Sequence, residues 1–146
     1  MFLNELNKSE GISFLQLVKA LANVDNCFEK EEQELYKDYL DELKIKDEEV
    51  QDSDLDKIYN ELSASSERVK NIIYFELVGL ALVDGEYEDE EVDFLEVVGE
   101  KLNIPRYKKI SFANYFYNFV DIYKFSTVDA ESKVKLLREQ AEKLLA

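Results

Sequence analysis

Oxygen-bearing side chains crowd one short stretch of this chain. Asp84, Glu86, Glu88, Asp89, Glu90, Glu91 and Asp93 put seven acids within ten residues. Carboxylates at that density suit a hard divalent cation such as Ca²⁺ or Mg²⁺, the former taking about six to eight oxygen ligands. Asp84, Glu86, Glu88 and Glu91 are the candidate ligands. The segment is not an EF-hand: its glycine, Gly85, follows the first acid directly instead of standing mid-loop, and Leu95 occupies the place of the closing glutamate. The competing reading is structural. In it Asp84 turns its carboxylate toward free backbone N–H groups of a turn or a following helix, and this reading takes preference.

The acidic stretch is the second of two copies. Val24-Asp25-Asn26-Cys27-Phe28-Glu29-Lys30-Glu31-Glu32 returns as Val83-Asp84-Gly85-Glu86-Tyr87-Glu88-Asp89-Glu90-Glu91, an offset of 59 residues. Leu21 and Ala22 upstream match Leu80 and Ala81, and Leu43 and Ile45 downstream match Leu102 and Ile104. This is a duplicated helix-turn-helix unit, with repeats over 12–45 and 71–104. Asn26 and Gly85 are the residue types that best tolerate the left-handed backbone of a helix-closing turn. Copy one is poorer in ligands, since Cys27 and Lys30 stand where copy two has Glu86 and Asp89.

Composition narrows the chemistry. Eighteen basic and thirty-three acidic residues give a net charge of −15. That charge repels nucleic-acid backbones and anionic membranes and favours basic partners or cations. Residues 105–146 carry eight basic and five acidic residues, so the acidity belongs to the repeated part. There is no histidine and one cysteine, Cys27. The usual general base, Ser-His and Cys-His nucleophile pairs, and the nitrogen ligands of a di-metal carboxylate bundle are therefore missing. No carboxylate sits in an apolar run that would raise its pKa, and no enzymatic activity is expected. The opening residues lack a basic signal region and no apolar run approaches about 20 residues, so a cytoplasmic chain without a transmembrane segment is expected.

The elements that must position these groups are helices. One proline and four glycines leave few breakers, and long stretches repeat apolar residues at helical spacing, which predicts an all-α fold. Ser13 with Gln16 has capping-box spacing and opens a first helix carrying Phe14, Leu17, Val18, Leu21 and Ala22. A second holds Leu35, Tyr36, Tyr39, Leu40 and Leu43. Residues 46–56 are a charged connector, followed by a short helix of Leu55, Ile58, Tyr59 and Leu62. The serines at 63–66 cap the next helix, about 67–83, apolar on nearly all sides and thus the most buried. Val92, Leu95, Val98 and Leu102 stripe the following one, which Asn103-Ile104-Pro105 stops. Pro105 opens an aromatic-rich helix, and a last helix runs from Ser126 or Thr127 to the end.

The pattern Ala81-x-x-Asp84-Gly85-x-Tyr87-x-x-x-Glu91-x-x-Phe94, followed by Leu95, Val98, Leu102 and Ile104, resembles the tellurite-resistance TerB-like family. Ala22, Asp25, Asn26, Phe28 and Glu32 repeat it, with Asn26 departing from the family's glycine. The resemblance implies a single domain over 1–146 of about seven helices in two pseudo-symmetric halves. It places the family's acidic motif on Asp25, Glu32, Asp84 and Glu91. Relatives include a stress-linked cytoplasmic protein and the N-terminal domain of a membrane-anchored DnaJ-like co-chaperone, and the functions proposed for them are protein interaction and metal sensing.

The functional expectation is a protein-interaction or stress-response module that requires no cofactor. The alternative is a Ca²⁺- or Mg²⁺-binding protein using the six acids Asp25, Glu32, Asp84, Glu86, Glu88 and Glu91. Tyr115, Tyr123, Lys108 and Lys109 are the candidate partner-binding residues, weighed against aromatic packing in the core and neutralisation of the chain's own acids.

Overall fold

A computed structural model describes the backbone of residues 2–24, 30–82, 89–125 and 130–145. Those residues form seven α-helices: α1 (Lys8–Ala22), α2 (Lys30–Leu43), α3 (Leu55–Leu62), α4 (Glu67–Leu82), α5 (Asp89–Lys101), α6 (Arg106–Phe125) and α7 (Ala130–Leu145). Short 3-10 turns occupy Leu3–Glu5 and Asp47–Glu49, and no strand occurs among the described residues. No described helix is long and apolar enough to cross a membrane.

Helix α4 is the hub. Twelve of its sixteen residues are buried, and α1, α5, α6, α7 and the turn at Leu3–Glu5 all pack on it. A helix surrounded in this way must be apolar on every side, as its Ile72, Ile73, Phe75, Leu77, Val78 and Leu80 are. The aromatic segment of α6 lies against it: the Phe75 ring is 5.4 Å from Phe112, 5.2 Å from Tyr115 and 4.8 Å from Phe116.

The helices open and close by local rules that recur at the repeat offset. Asn7 caps α1, its side chain accepting from the Glu10 N–H at 2.8 Å while Glu10 Oε1 accepts from the Asn7 N–H at 3.0 Å. Fifty-nine residues later, Ser66 Oγ accepts from the Val69 N–H at 3.1 Å and caps α4. The first cap corrects the expectation that Ser13 opens α1. Ser13 is buried inside the helix, its hydroxyl donating to Glu61 at 3.3 Å. Asn7 wins because its side chain and Glu10 satisfy two free backbone donors reciprocally.

The far ends match as well. Lys44 and Asn103 adopt φ of 56° and 58°, the positive-φ residues other than glycine among those described. Around each, the N–H two places past the last helical turn reaches back to close a Schellman motif: Ile45 to the Leu40 carbonyl at 3.1 Å and Ile104 to the Gly99 carbonyl at 2.8 Å. Asn26 and Gly85, where left-handed turns were expected, lie outside the described residues. Pro105 stands one residue ahead of α6 and its carbonyl accepts from Lys108 and Lys109.

The chain's first residues join the core, which no local pattern in the sequence signals. Phe2 and Leu3 are buried. The Phe2 ring lies under two guanidinium groups, Arg68 at 5.9 Å and Arg138 at 5.5 Å. Arg68 also grips Glu5 through two bonds of 2.7 and 3.0 Å and meets Glu142 at 2.9 Å. The forked contact ties the opening turn, α4 and α7 together and holds the Glu5 carboxyl below its ordinary range.

Two glycines show how tightly α6 is seated. A Cβ on Gly79 would stand 2.7 Å from the Phe116 ring, which is itself held by Phe75 and Tyr115. A Cβ on Gly99 would meet the flexible end of Lys109 at 2.5 Å and Tyr74 at 3.3 Å. Alanine is the better helix former by about 1 kcal/mol, so the outcome turns on which neighbour can yield. Gly79→Ala should destabilise by about 1 kcal/mol or more because the ring has nowhere to go. Gly99→Ala should be neutral or stabilising by up to about 1 kcal/mol. Thermal melts of the two variants decide the matter, and equal effects would show that the Phe116 ring is not seated against Gly79.

Candidate functional site

Glu32 and Glu91 occupy the third position of α2 and α5, again 59 residues apart. Both are buried, at 8% and 6% exposure, and both are engaged within the protein. The third helical position is the one from which a glutamate reaches back to the free donors at a helix entry, and its charge also offsets the helix dipole. Asp25, Asp84, Glu86 and Glu88 lie outside the described residues. Among the described residues no three acids, cysteines or histidines converge as a metal-holding group.

A third buried acid lies within the second copy. Glu76 of α4 is 8% exposed, and its charge reaches Tyr39 of α2 and Tyr115 of α6. Burial first, and Glu76 second, hold the Tyr39 hydroxyl well above its ordinary pKa and push Tyr115 up to about 12. Sequence alone did not single out Glu76, although it stands in an apolar run. Glu76 is the single charged residue between Lys70 and Asp84, and that isolation was the signal in the sequence. Its counterpart in the first copy is Leu17, fully buried.

The partner-binding candidates separate. Tyr115 is buried with its ring 5.2 Å from Phe75 and 5.0 Å from Phe116, and Lys108 is buried too. Both lie on the side of α6 that turns inward. Lys109 crosses to α5, reaching Glu96 at 3.5 Å and covering Gly99. The Tyr123 side chain lies outside the described residues.

A groove of about 480 Å³ is lined by Lys19, Gln33, Tyr36, Lys37, Leu40 and Asp47. In it the Tyr36 hydroxyl donates to Asp47 Oδ1 at 2.6 Å. Lys19 approaches the same oxygen at 3.3 Å and donates to the Val50 carbonyl at 3.2 Å. Nearby, the Gln16 amide donates to the Gln51 carbonyl at 2.8 Å, and Lys8 meets Glu49 at 2.9 Å. Four side chains of α1 and α2 thus pin the charged connector that sequence alone shows only as polar. Burial and Asp47 raise the Tyr36 pKa, so its hydroxyl remains a proton donor at neutral pH. It serves as a tether here.

Comparison with models of protein families, with curated proteins and with solved structures gives no match.

The buried pair and the tether each make a measurable difference to stability. Glu32→Ala and Glu91→Ala should each destabilise by about 1–2 kcal/mol through loss of the helix-entry carboxylate. Exposed Glu90→Ala should stay within about 0.5 kcal/mol. Urea unfolding of the three variants checks this, and three equal values would remove any special role for the buried pair.

For the tether the variable is pH. Tyr36 first, then Lys19, lower the Asp47 pKa. A depressed carboxylate stabilises above its unfolded pKa, about 4, and the contribution vanishes as pH falls through the folded value. Wild type should thus exceed Asp47→Asn in stability at pH 7 by under about 1 kcal/mol, since the group is exposed, and the gap should close as pH falls below the unfolded value. A gap independent of pH would exclude this tether.

Proposed function

We propose that this chain is a non-enzymatic, TerB-like helical domain serving as a protein-interaction or stress-response module in the cytoplasm. The observation that carries the reading is a stripe on α2. Glu34, Asp38 and Asp41, at i, i+4 and i+7, are exposed on one helical face, and none forms an ion pair among the described residues. Exposed Glu48, Asp52, Asp54 and Asp56 extend the acidity along the connector and into α3. A helix gains nothing from unpaired acids on its outer face in a chain of net charge −15. A basic partner segment would neutralise them and gain steered association.

The test is fluorescence anisotropy with a Lys/Arg-rich helical peptide of about 20 residues, at about 0.05 M and about 0.3 M NaCl. Binding should weaken with salt and fall roughly tenfold or more in the triple variant Glu34→Lys, Asp38→Lys, Asp41→Lys. Three reversals on α5, Glu90→Lys, Asp93→Lys and Glu100→Lys, should leave most of the affinity. Equal loss in both triples would mean diffuse attraction and reject the α2 surface.

Divalent-cation binding is the second reading, favoured by the matched burial of Glu32 and Glu91 in the first turns of α2 and α5, which follow the acidic segments 25–29 and 83–88. Asp25, Glu32, Asp84, Glu86, Glu88 and Glu91 would supply the oxygens for Ca²⁺ or Mg²⁺. A cation bound only by the folded state adds about 2.7 kcal/mol at one hundred times its dissociation constant. Ca²⁺ should then raise the melting temperature beyond NaCl of matched ionic strength, and Asp84→Asn should abolish the excess. Equal stabilisation by the two salts rejects this reading.

A further inference from the structure

The acids of this chain leave one long gap. Residues 101–120 contain four basic residues and no acid, so all thirty-three acids lie elsewhere. The gap covers the start of α6 and most of its length. Inward, that helix packs on α4 and α7. Outward, it exposes Tyr107, Ile110, Asn114 and Asn118, spaced to form one stripe about 16 Å long. Tyr107 is 67% exposed and Ile110 51%, the two most exposed large apolar residues among those described. The bases do not crowd the stripe: Lys108 is buried and Lys109 leans onto Glu96. Among the described residues the exposed charge adjoining it is Arg106.

We propose that this outer face of α6 is where a second copy of the chain docks, in a weak, two-fold dimer. The argument is electrostatic. Two molecules of net charge −15 repel over most approaches, and an uncharged stripe within an acid-free segment is the face on which they can meet with least cost. A two-fold arrangement is self-complementary there. With the helices antiparallel about a two-fold axis at Ile110, Tyr107 of one copy comes beside Asn114 of the other. The phenol and carboxamide can then exchange a hydrogen bond while the two Ile110 side chains bury each other. A stable dimer buries about 800 Å² per partner, more than one such stripe offers, so association is weak. It should strengthen with salt, because salt screens the overall repulsion and leaves the apolar contact intact.

The docking differs in surface and partner from the acidic α2 stripe, so either can fail alone. Its test is sedimentation equilibrium of the full chain from about 10 µM to about 1 mM, at about 0.05, 0.15 and 0.5 M NaCl. The expected result is dimer that grows with both concentration and salt. Tyr107→Glu and Ile110→Glu should each weaken it roughly tenfold or more, with helical circular dichroism and melting unchanged. Val97 is 46% exposed on α5, about 100° further round that helix than Glu96, which meets Lys109, and so turned away from α6. Val97→Glu should change association less than about twofold. A monomer throughout the range, association unaffected by Ile110→Glu, or association that weakens as salt rises would each overturn the proposal. The last outcome would point instead to ion pairing with an acidic segment.

Discussion

Burial of α4 is the constraint on which the described fold depends. A sixteen-residue helix with twelve buried positions has no solvent face to spare. Its neighbours must therefore supply surface from every side, which is why α1, α5, α6, α7 and the opening turn converge on it. Each neighbour brings an amphipathic face, and the sum is a core whose largest fully buried side chains include Phe2, Phe14, Phe75 and Phe112, all on different elements except for the hub itself. Glu76 is the charged residue buried inside that hub. Burying a carboxylate costs more than burying any apolar group of its size, so its retention beside two phenols, where Leu17 suffices in the first copy, marks one place where the two copies differ in chemistry.

The local devices around the hub recur with one spacing. Helices begin at Lys8 and Glu67, then at Lys30 and Asp89; side-chain caps stand at Asn7 and Ser66; left-handed closures stand at Lys44 and Asn103. Each pair is 59 residues apart. Identical residues are not required for this. Asn and Ser both offer a side-chain oxygen to the third N–H, and the Schellman closure needs only a tolerable positive φ and an apolar residue after it. Ile45 and Ile104 provide that residue in the two copies, both buried. Beyond these isoleucines the copies part. After Ile45 the chain makes one 3-10 turn at Asp47–Glu49, whereas after Ile104 it enters the twenty residues of α6. Asp47 and Glu49 are drawn by lysines into a pinned connector, while the acid-free residues 101–120 pass through a turn into α6 and supply the aromatic wall of α4.

How much of this was legible depends on the range of each interaction. Helix identity and the buried role of α4 were readable because apolar spacing over three or four turns is a local signal. The end of α5 was readable because the residue before proline avoids helix. Ser13 misled because capping patterns are short and Asn7 with Glu10 satisfied the same rule earlier in the chain. Phe2 and Leu3 gave no local signal of burial; their partners, Arg68, Arg138 and Phe75, are more than sixty residues away. Tyr115 and Tyr107 show the same limit within one helix. Both are tyrosines of an aromatic run, and only the position of α4 decides that the first is buried and the second exposed. Of the candidate ligands, Glu32 and Glu91 were legible as repeat positions, but their burial was not, because it depends on how each helix entry meets its neighbours.

Charge is the remaining constraint, and the structure distributes it unevenly. Lys8 and Lys19 reach the acids of the connector, and Arg68 reaches Glu5 and Glu142, so these bases are used where segments distant in sequence must be held together. Exposed pairs of this kind contribute little individually. Their effect here is positional, since Lys19 also anchors a backbone carbonyl and Arg68 a ring and a second carboxylate. The acids left over are then concentrated on faces that form no ion pair among the described residues, above all the α2 stripe of Glu34, Asp38 and Asp41. A chain organised in this way repels its own copies and other anions across most of its surface. The faces that remain open to association are those where the pattern breaks, and the sign of the salt effect on each is set by whether the break is a lack of acid or an excess of it.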